Sequence, residues 1–180
     1  GYEGKTIAEI SKTLNVPPLE FVLDLLYEED CKVSVIFFNM SEENLARILK
    51  WDSVMIGSDS SLRSLEGVLN YGKPHPRGYG TFSRVIRKYV NETSILSIEE
   101  AIYKMTGFPA QTLGLKDRGI LKEGFFADIT IFDQETIAEQ ATFTSPHNYS
   151  TGIKHVLVNG KLTINDGKHE SVTNGAILKK

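Results

Sequence analysis

The feature that most restricts the fold of this chain is an alternation of strand and helix patterns over residues 33–56. Residues 33–38 are apolar and rich in β-forming residues apart from Ser34, which is typical of a buried strand. Ser41 then precedes two glutamates and a set of leucine and isoleucine at helical spacing, which predicts a capped helix. A second apolar run at 54–56 predicts another buried strand. Strand, helix and strand in this order indicate a parallel βαβ unit, and therefore an α/β fold.

The second predicted strand leads into a carboxylate. It ends at Gly57, and Asp59 follows within the sequence Gly-Ser-Asp-Ser. Barrels and open α/β sheets place catalytic groups just past the C-terminal ends of their strands, so this position favours a functional role for Asp59. The alternative is a structural turn, because Ser-Asp-Ser is also good turn composition.

Further helices are predicted on both sides of this unit. Thr6 and Glu9 form a capping-box pattern, as do Ser97 and Glu100, and apolar residues follow each pair at helical spacing. The predicted helices cover residues 7–14, 18–26, 81–90 and 98–105, with a short helical turn at 109–113.

The C-terminal part of the chain has a different sequence pattern, in which turn residues separate short β-strand patterns. Residues 128–132 alternate like a strand, and two further strand patterns, 153–158 and 161–164, flank Asn159-Gly160. Asn-Gly between two such runs is a strong hairpin signal, because both residues tolerate positive φ. The sequence therefore predicts a three-stranded β tail that contains a tight hairpin.

Composition excludes several classes of protein. A formal charge of −3 and a pI near 5.8 give no electrostatic footprint for nucleic acid. No apolar run approaches the roughly 18 residues that a membrane span needs, so we expect a cytoplasmic protein without membrane contacts. Cys31 is the only cysteine, which rules out an internal disulfide and favours a buried structural thiol over a nucleophile.

Four motifs carry a family resemblance. They are Gly-Ser-Asp-Ser at 57–60, His-Pro-Arg-Gly-Tyr-Gly-Thr-Phe at 75–82, DRGILKEGFFADITIFD at 117–133 and Val-Leu-Val-Asn-Gly-Lys at 156–161. Together and in this order they resemble the C-terminal part of the N-acyl-D-amino-acid deacylases (D-aminoacylases) of the amidohydrolase superfamily. The segment between the first two motifs, residues 62–74, is longer than in the best-known members.

The resemblance implies an α/β architecture: the C-terminal portion of a (β/α)8 (TIM-type) metal-dependent hydrolase barrel plus part of a small β-sandwich domain. We expect a helical segment at 1–31, the last strands and helices of the barrel at 32–113, and the C-terminal part of the small β domain at 114–180. Two parallel strands cannot close a barrel of eight, and the chain begins at Gly1 without an initiator Met. A fragment of a longer protein is therefore expected.

The resemblance also implies roles for individual residues. Asp59 would be the catalytic residue, contacting the metal and transferring the proton of a metal-bound water, and Arg77 would hold the α-carboxylate of the substrate. His75, Tyr79 and Ser60 are expected to line the substrate pocket. From the residues alone, Arg77 could instead be a surface cation in a Pro/Gly loop, and His75 could be purely structural.

The cofactor that the resemblance implies is zinc. A zinc site needs three or four ligands, and this sequence has no His-x-His pair or other cluster of His and Cys. In the family those ligands come from earlier barrel strands, so they are expected upstream of Gly1. We therefore expect zinc, with Asp59 among its contacts, in the intact protein, and no tightly bound metal in this chain.

The function implied by the resemblance is hydrolysis of the amide bond of N-acyl-D-amino acids, which are small-molecule substrates, by the intact protein; the fragment alone is expected to be inactive. Two alternatives stay open: a related amidohydrolase that acts on a cyclic amide, as dihydroorotases do, and a non-catalytic structural module that keeps the fold. Open strand edges in a severed barrel also predict self-association of the fragment.

Overall fold

The structure, a computed structural model that describes residues 1–178, contains six α-helices and one β-sheet in that range. The helices are α1 (Ile7–Leu14), α2 (Pro18–Glu28), α3 (Glu42–Leu49), α4 (Arg77–Arg84), α5 (Ile98–Met105) and α6 (Gly107–Leu113). Helix α4 continues as a wider π-helical segment, Val85–Glu92, and a 3₁₀ turn lies at Gly67–Leu69. The strands are β1 (Ile129–Phe132), β2 (Ile153–Val158), β3 (Lys161–Asn165) and β4 (Lys168–His169). None of the described helices is both long enough and apolar enough to span a membrane.

The predicted capping boxes form. In α1 the Thr6 hydroxyl accepts the backbone N–H of Glu9, while the Glu9 carboxylate accepts the N–H of Thr6. Ser97 and Glu100 make the same reciprocal pair at α5, and the Ser41 hydroxyl accepts a backbone N–H in the first turn of α3. These contacts satisfy N–H groups that the first turn of a helix leaves unpaired. The predicted starts of these three helices are confirmed.

The two predicted barrel strands do not form. Residues 33–38 and 54–56 carry no regular secondary structure, and the sheet found among the described residues contains only β1 to β4. A parallel strand receives its hydrogen bonds from neighbouring strands, and neither segment is paired with one. Residues 33–38 are consequently not buried, with Phe37 75% exposed. The predicted βαβ unit is therefore wrong for this structure.

Helix α4 begins earlier than its sequence pattern predicts, at Arg77 rather than Thr81. His75 and Pro76 support the earlier start. The Nδ1 atom of His75 accepts the backbone N–H of Arg77 at 3.0 Å, and the Pro76 carbonyl accepts the N–H of Gly80 at 3.1 Å. The apolar pattern gave no signal for this turn because its residues are glycine, arginine and tyrosine. Arg77 therefore lies in the first turn of a helix rather than in a loop.

The four strands form an antiparallel meander in the order β1-β2-β3-β4. Asn159 and Gly160 connect β2 to β3 with φ angles of 51° and 75°, as the predicted hairpin requires. Asp166 and Gly167 connect β3 to β4, also at positive φ. The hairpin prediction is confirmed, and β4 adds a strand to the three predicted.

The main buried cluster joins α3, the π-helical segment and α5. Its members are Leu49, Val85, Tyr89, Leu96 and Ala101. Ile56 packs against this cluster while remaining partly exposed. The segment that leads to Asp59 and the helix that carries Arg77 are therefore built onto the same core.

Cys31 is exposed, in contrast to the expectation of a buried thiol. It lies in a turn after α2 with a φ of 58°. The segment that follows this turn, residues 33–38, is not the buried strand that the sequence predicts, so the thiol does not lie at the edge of a buried element.

Candidate functional site

Asp59 and Arg77 lie side by side on the surface. The Nη2 atom of Arg77 is 2.9 Å from Oδ2 of Asp59. The Arg77 side chain is 45% exposed and the Asp59 side chain 88% exposed, so solvent screens the pair and its contribution to stability is about 0–1 kcal/mol. Asp59 adopts a positive φ of 46°, which aspartate tolerates better than most residues. The structure thus brings together two charges from separate motifs and leaves both accessible to a ligand.

A second contact joins the same two motifs. A Cβ atom added to Gly78 would lie 2.7 Å from Oγ of Ser60. The first turn of α4 therefore approaches the loop after Asp59 closely, and the rotatable Ser60 hydroxyl is the nearest group. The Ser60 hydroxyl donates to the carbonyl of Ser61 at 3.1 Å, so its observed hydrogen bond lies within its own loop. A pocket-lining role for Ser60 stays a prediction.

His75 supports the helix that carries Arg77. Besides accepting the Arg77 N–H, its ring packs edge-on against Phe143, with ring centroids 5.0 Å apart. Burial lowers the pKa of His75, and the charge of Arg77 lowers it further. Both effects favour the neutral ring, which is the form that can accept this hydrogen bond through Nδ1. These contacts support the structural interpretation of His75, and contact with substrate stays a prediction.

Tyr79 fixes the segment between the two motifs. Its hydroxyl donates to the carbonyl of Ser64 at 2.8 Å, and its ring centroid lies 5.8 Å from that of His147 and 6.1 Å from that of Tyr149. Burial raises the pKa of Tyr79, and Tyr149 raises it further, so the hydroxyl remains a donor at neutral pH. Tyr79 thus anchors residues 62–74 to α4, and its pocket-lining role stays a prediction.

Lys104 holds the segment that leads to Asp59, a role that the sequence did not indicate. Its ammonium group donates to the carbonyls of Trp51 and Val54, the latter at 3.3 Å, and its own carbonyl accepts the N–H of Ile56 at 3.1 Å. Lys104 is only 5% exposed, which is uncommon for lysine. An amphipathic helix pattern gives no signal for this role, because a charged residue is expected to face solvent.

The described residues do not fit a zinc ion. Within residues 1–178, no three His, Cys, Asp or Glu side chains are grouped so that they could hold a metal. Asp59 faces Arg77, while His155 and His169 each accept a backbone N–H through Nδ1. Since zinc sites need three or four ligands, Asp59 could supply one ligand at most.

Comparison with known protein families identifies the family of the chain. The model of the amidohydrolase family matches residues 52–164, which is more than half of the chain. The chain therefore belongs to the amidohydrolase family. The matched region contains both Asp59 and Arg77, together with most of the β-sheet.

Similar proteins include deacylases of acylated amino acids. The N-acyl-D-glutamate deacylase of Alcaligenes xylosoxydans xylosoxydans is 43% identical over 130 residues, which are 72% of this chain and 25% of the relative. A solved D-aminoacylase with a binuclear metal centre superposes with a TM-score of 0.83 at 32% identity, covering 98% of this chain and 35% of that one. The N-acyl-D-glutamate deacylase from Bordetella bronchiseptica, complexed with zinc and a phosphonate inhibitor, gives a TM-score of 0.77 at 33% identity, covering 96% of this chain and 35% of that one.

The chain spans 25% of the length of the curated deacylase and 35% of the solved D-aminoacylase. The dihydroorotase of Endomicrobium trichonymphae matches a shorter segment, 58 residues at 41% identity and 32% of this chain. The resemblance to the D-aminoacylases is confirmed at the level of family and of a fold that combines helices with a β-sheet. The domain boundaries at 31/32 and 113/114, and the description as barrel portion plus part of a sandwich, stay predictions.

Proposed function

We propose that the protein hydrolyses the amide bond of N-acyl-D-amino acids, and that this chain contributes the groups that bind the substrate carboxylate and transfer the proton. It is then a hydrolase of C–N bonds other than peptide bonds. The observation that carries the proposal is the pairing of Asp59 with Arg77 at 2.9 Å. Arg77, a cation suited to the substrate carboxylate, lies beside Asp59, an acid suited to proton transfer. The names of the similar deacylases support the choice of substrate class.

Arg77 suits a carboxylate ligand because of its geometry. A guanidinium presents parallel N–H groups that match both oxygens of a carboxylate, which a lysine cannot do. In the structure this guanidinium already binds a carboxylate, that of Asp59. Because such an exposed pair is worth about 0–1 kcal/mol, a substrate α-carboxylate can replace Asp59 at low cost. The exchange leaves the Asp59 carboxylate free.

The freed Asp59 acts as a general base and then as a general acid. Its carboxylate takes a proton from the water that attacks the acyl carbon. It returns that proton to the amide nitrogen as the C–N bond breaks, so that a carboxylic acid and a free amino acid leave. Proton transfer of this kind typically contributes about 10²–10⁴-fold in rate.

Zinc belongs to the proposal only for the intact enzyme. The relative from B. bronchiseptica was solved with zinc, whereas the described residues of this chain offer no group of three ligands. We therefore assign the remaining zinc ligands to residues other than those described, with Asp59 as one contact. The steps assigned to Asp59 and Arg77 do not depend on where the remaining zinc ligands lie.

Replacement of Arg77 tests the proposal in the full-length protein. Arg77→Ala is expected to raise the KM for N-acetyl-D-glutamate about a hundredfold, because a charge-assisted contact of about 3 kcal/mol is lost. Arg77→Lys should restore only part of the affinity, since it cannot bind both oxygens. Initial rates on the α-carboxylate methyl ester of the same substrate should be insensitive to either change.

Arg47→Ala is the matched control, because Arg47 is an exposed arginine that donates to Asn44 within α3. Its KM should equal that of the unaltered protein. An unchanged KM in Arg77→Ala removes the proposed binding role of Arg77. Hydrolysis of a cyclic amide that is indifferent to Arg77→Ala favours the dihydroorotase-like alternative, and a full-length protein without metal or activity favours the non-catalytic module.

A further inference from the structure

Glu139, which lies between β1 and β2, binds the helix that carries Arg77. Glu139 accepts hydrogen bonds from Nη1 of Arg84 at 3.1 Å and from Nε of Arg87 at 2.7 Å, and Nη2 of Arg87 also donates to it. The Glu139 side chain is only 12% exposed. Both arginines follow Arg77 on α4 and its π-helical continuation, so Glu139 ties this whole helix to a distant part of the chain.

Gly80 shows how closely α4 approaches Glu139. A Cβ atom on Gly80 would lie 2.6 Å from the Cβ atom of Glu139, so a larger residue could not fit without movement of the helix. Ser150 adds a second fixed point, because its hydroxyl donates to the Tyr79 carbonyl at 3.2 Å. Gly80 and Arg77 are three residues apart on one helix, hence neighbours on the same face. A shift of the helix at Gly80 is therefore felt by the turn that carries Arg77.

The charge of Glu139 is well compensated. Burial raises the pKa of Glu139, but hydrogen bonds and charge from Arg87, with a further hydrogen bond from Arg84, outweigh burial and hold the pKa below its usual range. The Glu139 side chain is 12% exposed, against 88% for Asp59, although its arginine partners are themselves partly exposed. The contacts of Glu139 are therefore less screened by solvent than the Asp59–Arg77 pair, and they are expected to exchange less readily.

We propose that Glu139 is a positioning residue for Arg77, holding α4 in the place where the guanidinium meets the substrate carboxylate. The inference rests on the proposed function, because it takes Arg77 as the carboxylate-binding residue. Misplacement of a binding group by about 1 Å can cost up to about a hundredfold in rate or affinity, so a small displacement of α4 is sufficient to matter.

A double-mutant cycle in the full-length protein tests this role. Glu139→Gln is expected to raise the KM for N-acetyl-D-glutamate about tenfold with little change in kcat, because binding is disturbed and proton transfer is not. In the Arg77→Ala background the same substitution should raise the KM no further, since the group that it misplaces is gone. Ser150→Ala, which removes the bond to the Tyr79 carbonyl, should raise the KM less, with the same dependence on Arg77. This variant replaces Glu139→Gln in the cycle if Glu139→Gln does not fold.

Glu92→Gln is the matched control, because Glu92 is the other carboxylate that binds Arg87 but its side chain is 48% exposed. It should leave the KM unchanged. Equal effects of Glu139→Gln with and without Arg77, or a fall in kcat at constant KM, would overturn the inference while leaving the proposed function intact. A KM that does not respond to Arg77→Ala at all removes both.

Discussion

The two charged groups of the site are supported differently. Asp59 follows an extended segment that is tied to the core through Ile56 and the buried ammonium group of Lys104. Arg77 stands on a helix whose continuation is bound by Glu139, a side chain that is 12% exposed. In both cases the supporting charge is largely shielded from solvent, whereas Asp59 and Arg77 are exposed. The difference follows from energetics, because an exposed ion pair exchanges its partner at low cost and a shielded one exchanges less readily.

Removal of the exposed acid should change the catalytic rate strongly. Asp59→Asn should lower kcat by about 10²–10⁴-fold, because an amide cannot take up the proton. The KM should not rise, since the substrate carboxylate no longer competes with the Asp59 carboxylate for Arg77. Steady-state kinetics of the full-length protein measure both constants, with Asp52→Asn as a control at an exposed carboxylate nearby. A raised KM with normal kcat would show that Asp59 binds rather than transfers protons.

Removal of the buried cation should affect stability more than any change at the exposed pair. Lys104→Met removes the ammonium donor from the carbonyls of Trp51 and Val54, and the Trp51 carbonyl keeps only the N–H of Val54. This loss is expected to cost about 1–3 kcal/mol in the free energy of unfolding. Urea unfolding measures this loss, and Lys116→Met, at an exposed lysine, should show none. Equal midpoints for the two variants would contradict the anchoring role of Lys104.

The two glycines of α4 should differ in their tolerance of a side chain. Gly80→Ala meets the Cβ atom of Glu139, which cannot swing away, whereas Gly78→Ala meets the rotatable hydroxyl of Ser60. Gly80→Ala should cost about 1–3 kcal/mol through overpacking, while at Gly78 the gain in helix propensity of about 0.5–1 kcal/mol offsets most of the contact. Thermal unfolding compares the two variants, and a larger loss of stability in Gly78→Ala would contradict the close packing of Gly80 against Glu139.

A smaller effect is expected in the pH dependence of stability, through the protonation of His75. Its folded-state pKa is lowered by burial and by Arg77, so the unfolded chain binds more protons as the pH falls below about 6.5. Stability should therefore decrease below that pH, and the hydrogen bond from the Arg77 N–H to Nδ1 should be lost. Urea unfolding from pH 7.5 to pH 5 should show a flatter profile for His75→Asn than for the unaltered protein, and an equally steep profile would contradict the role of His75.

The capped starts of α1, α3 and α5 and the hairpin could be predicted because their causes are local. The reciprocal bonds of Thr6 with Glu9, and the positive φ angles of Asn159 and Gly160, involve residues close together in the sequence. The apolar runs at 33–38 and 54–56 report only a propensity. A strand also needs a neighbour to pair with, and a pattern within one segment cannot supply that information.

The candidate site could be predicted in part because its two charged residues lie in motifs that resemble a known family. The motifs singled out Asp59 and Arg77, and the structure places them in contact. Lys104 and Glu139 act on residues far away in the sequence, and a lysine in a helix or a single glutamate in an irregular segment carries no local signal for such a role. The short glycine spacing of Arg-Gly-Tyr-Gly is the nearest indication that α4 is closely packed on two sides.

The decisive experiment is a crystal structure of the full-length Asp59→Asn variant, which should be inactive, with an N-acyl-D-amino acid bound. Both oxygens of the substrate α-carboxylate are expected at about 2.7–2.9 Å from the guanidinium nitrogens of Arg77, with the side chain at position 59 released from Arg77 and turned toward the amide. A substrate carboxylate bound elsewhere, with Arg77 still paired to position 59, would contradict the proposed role of Arg77.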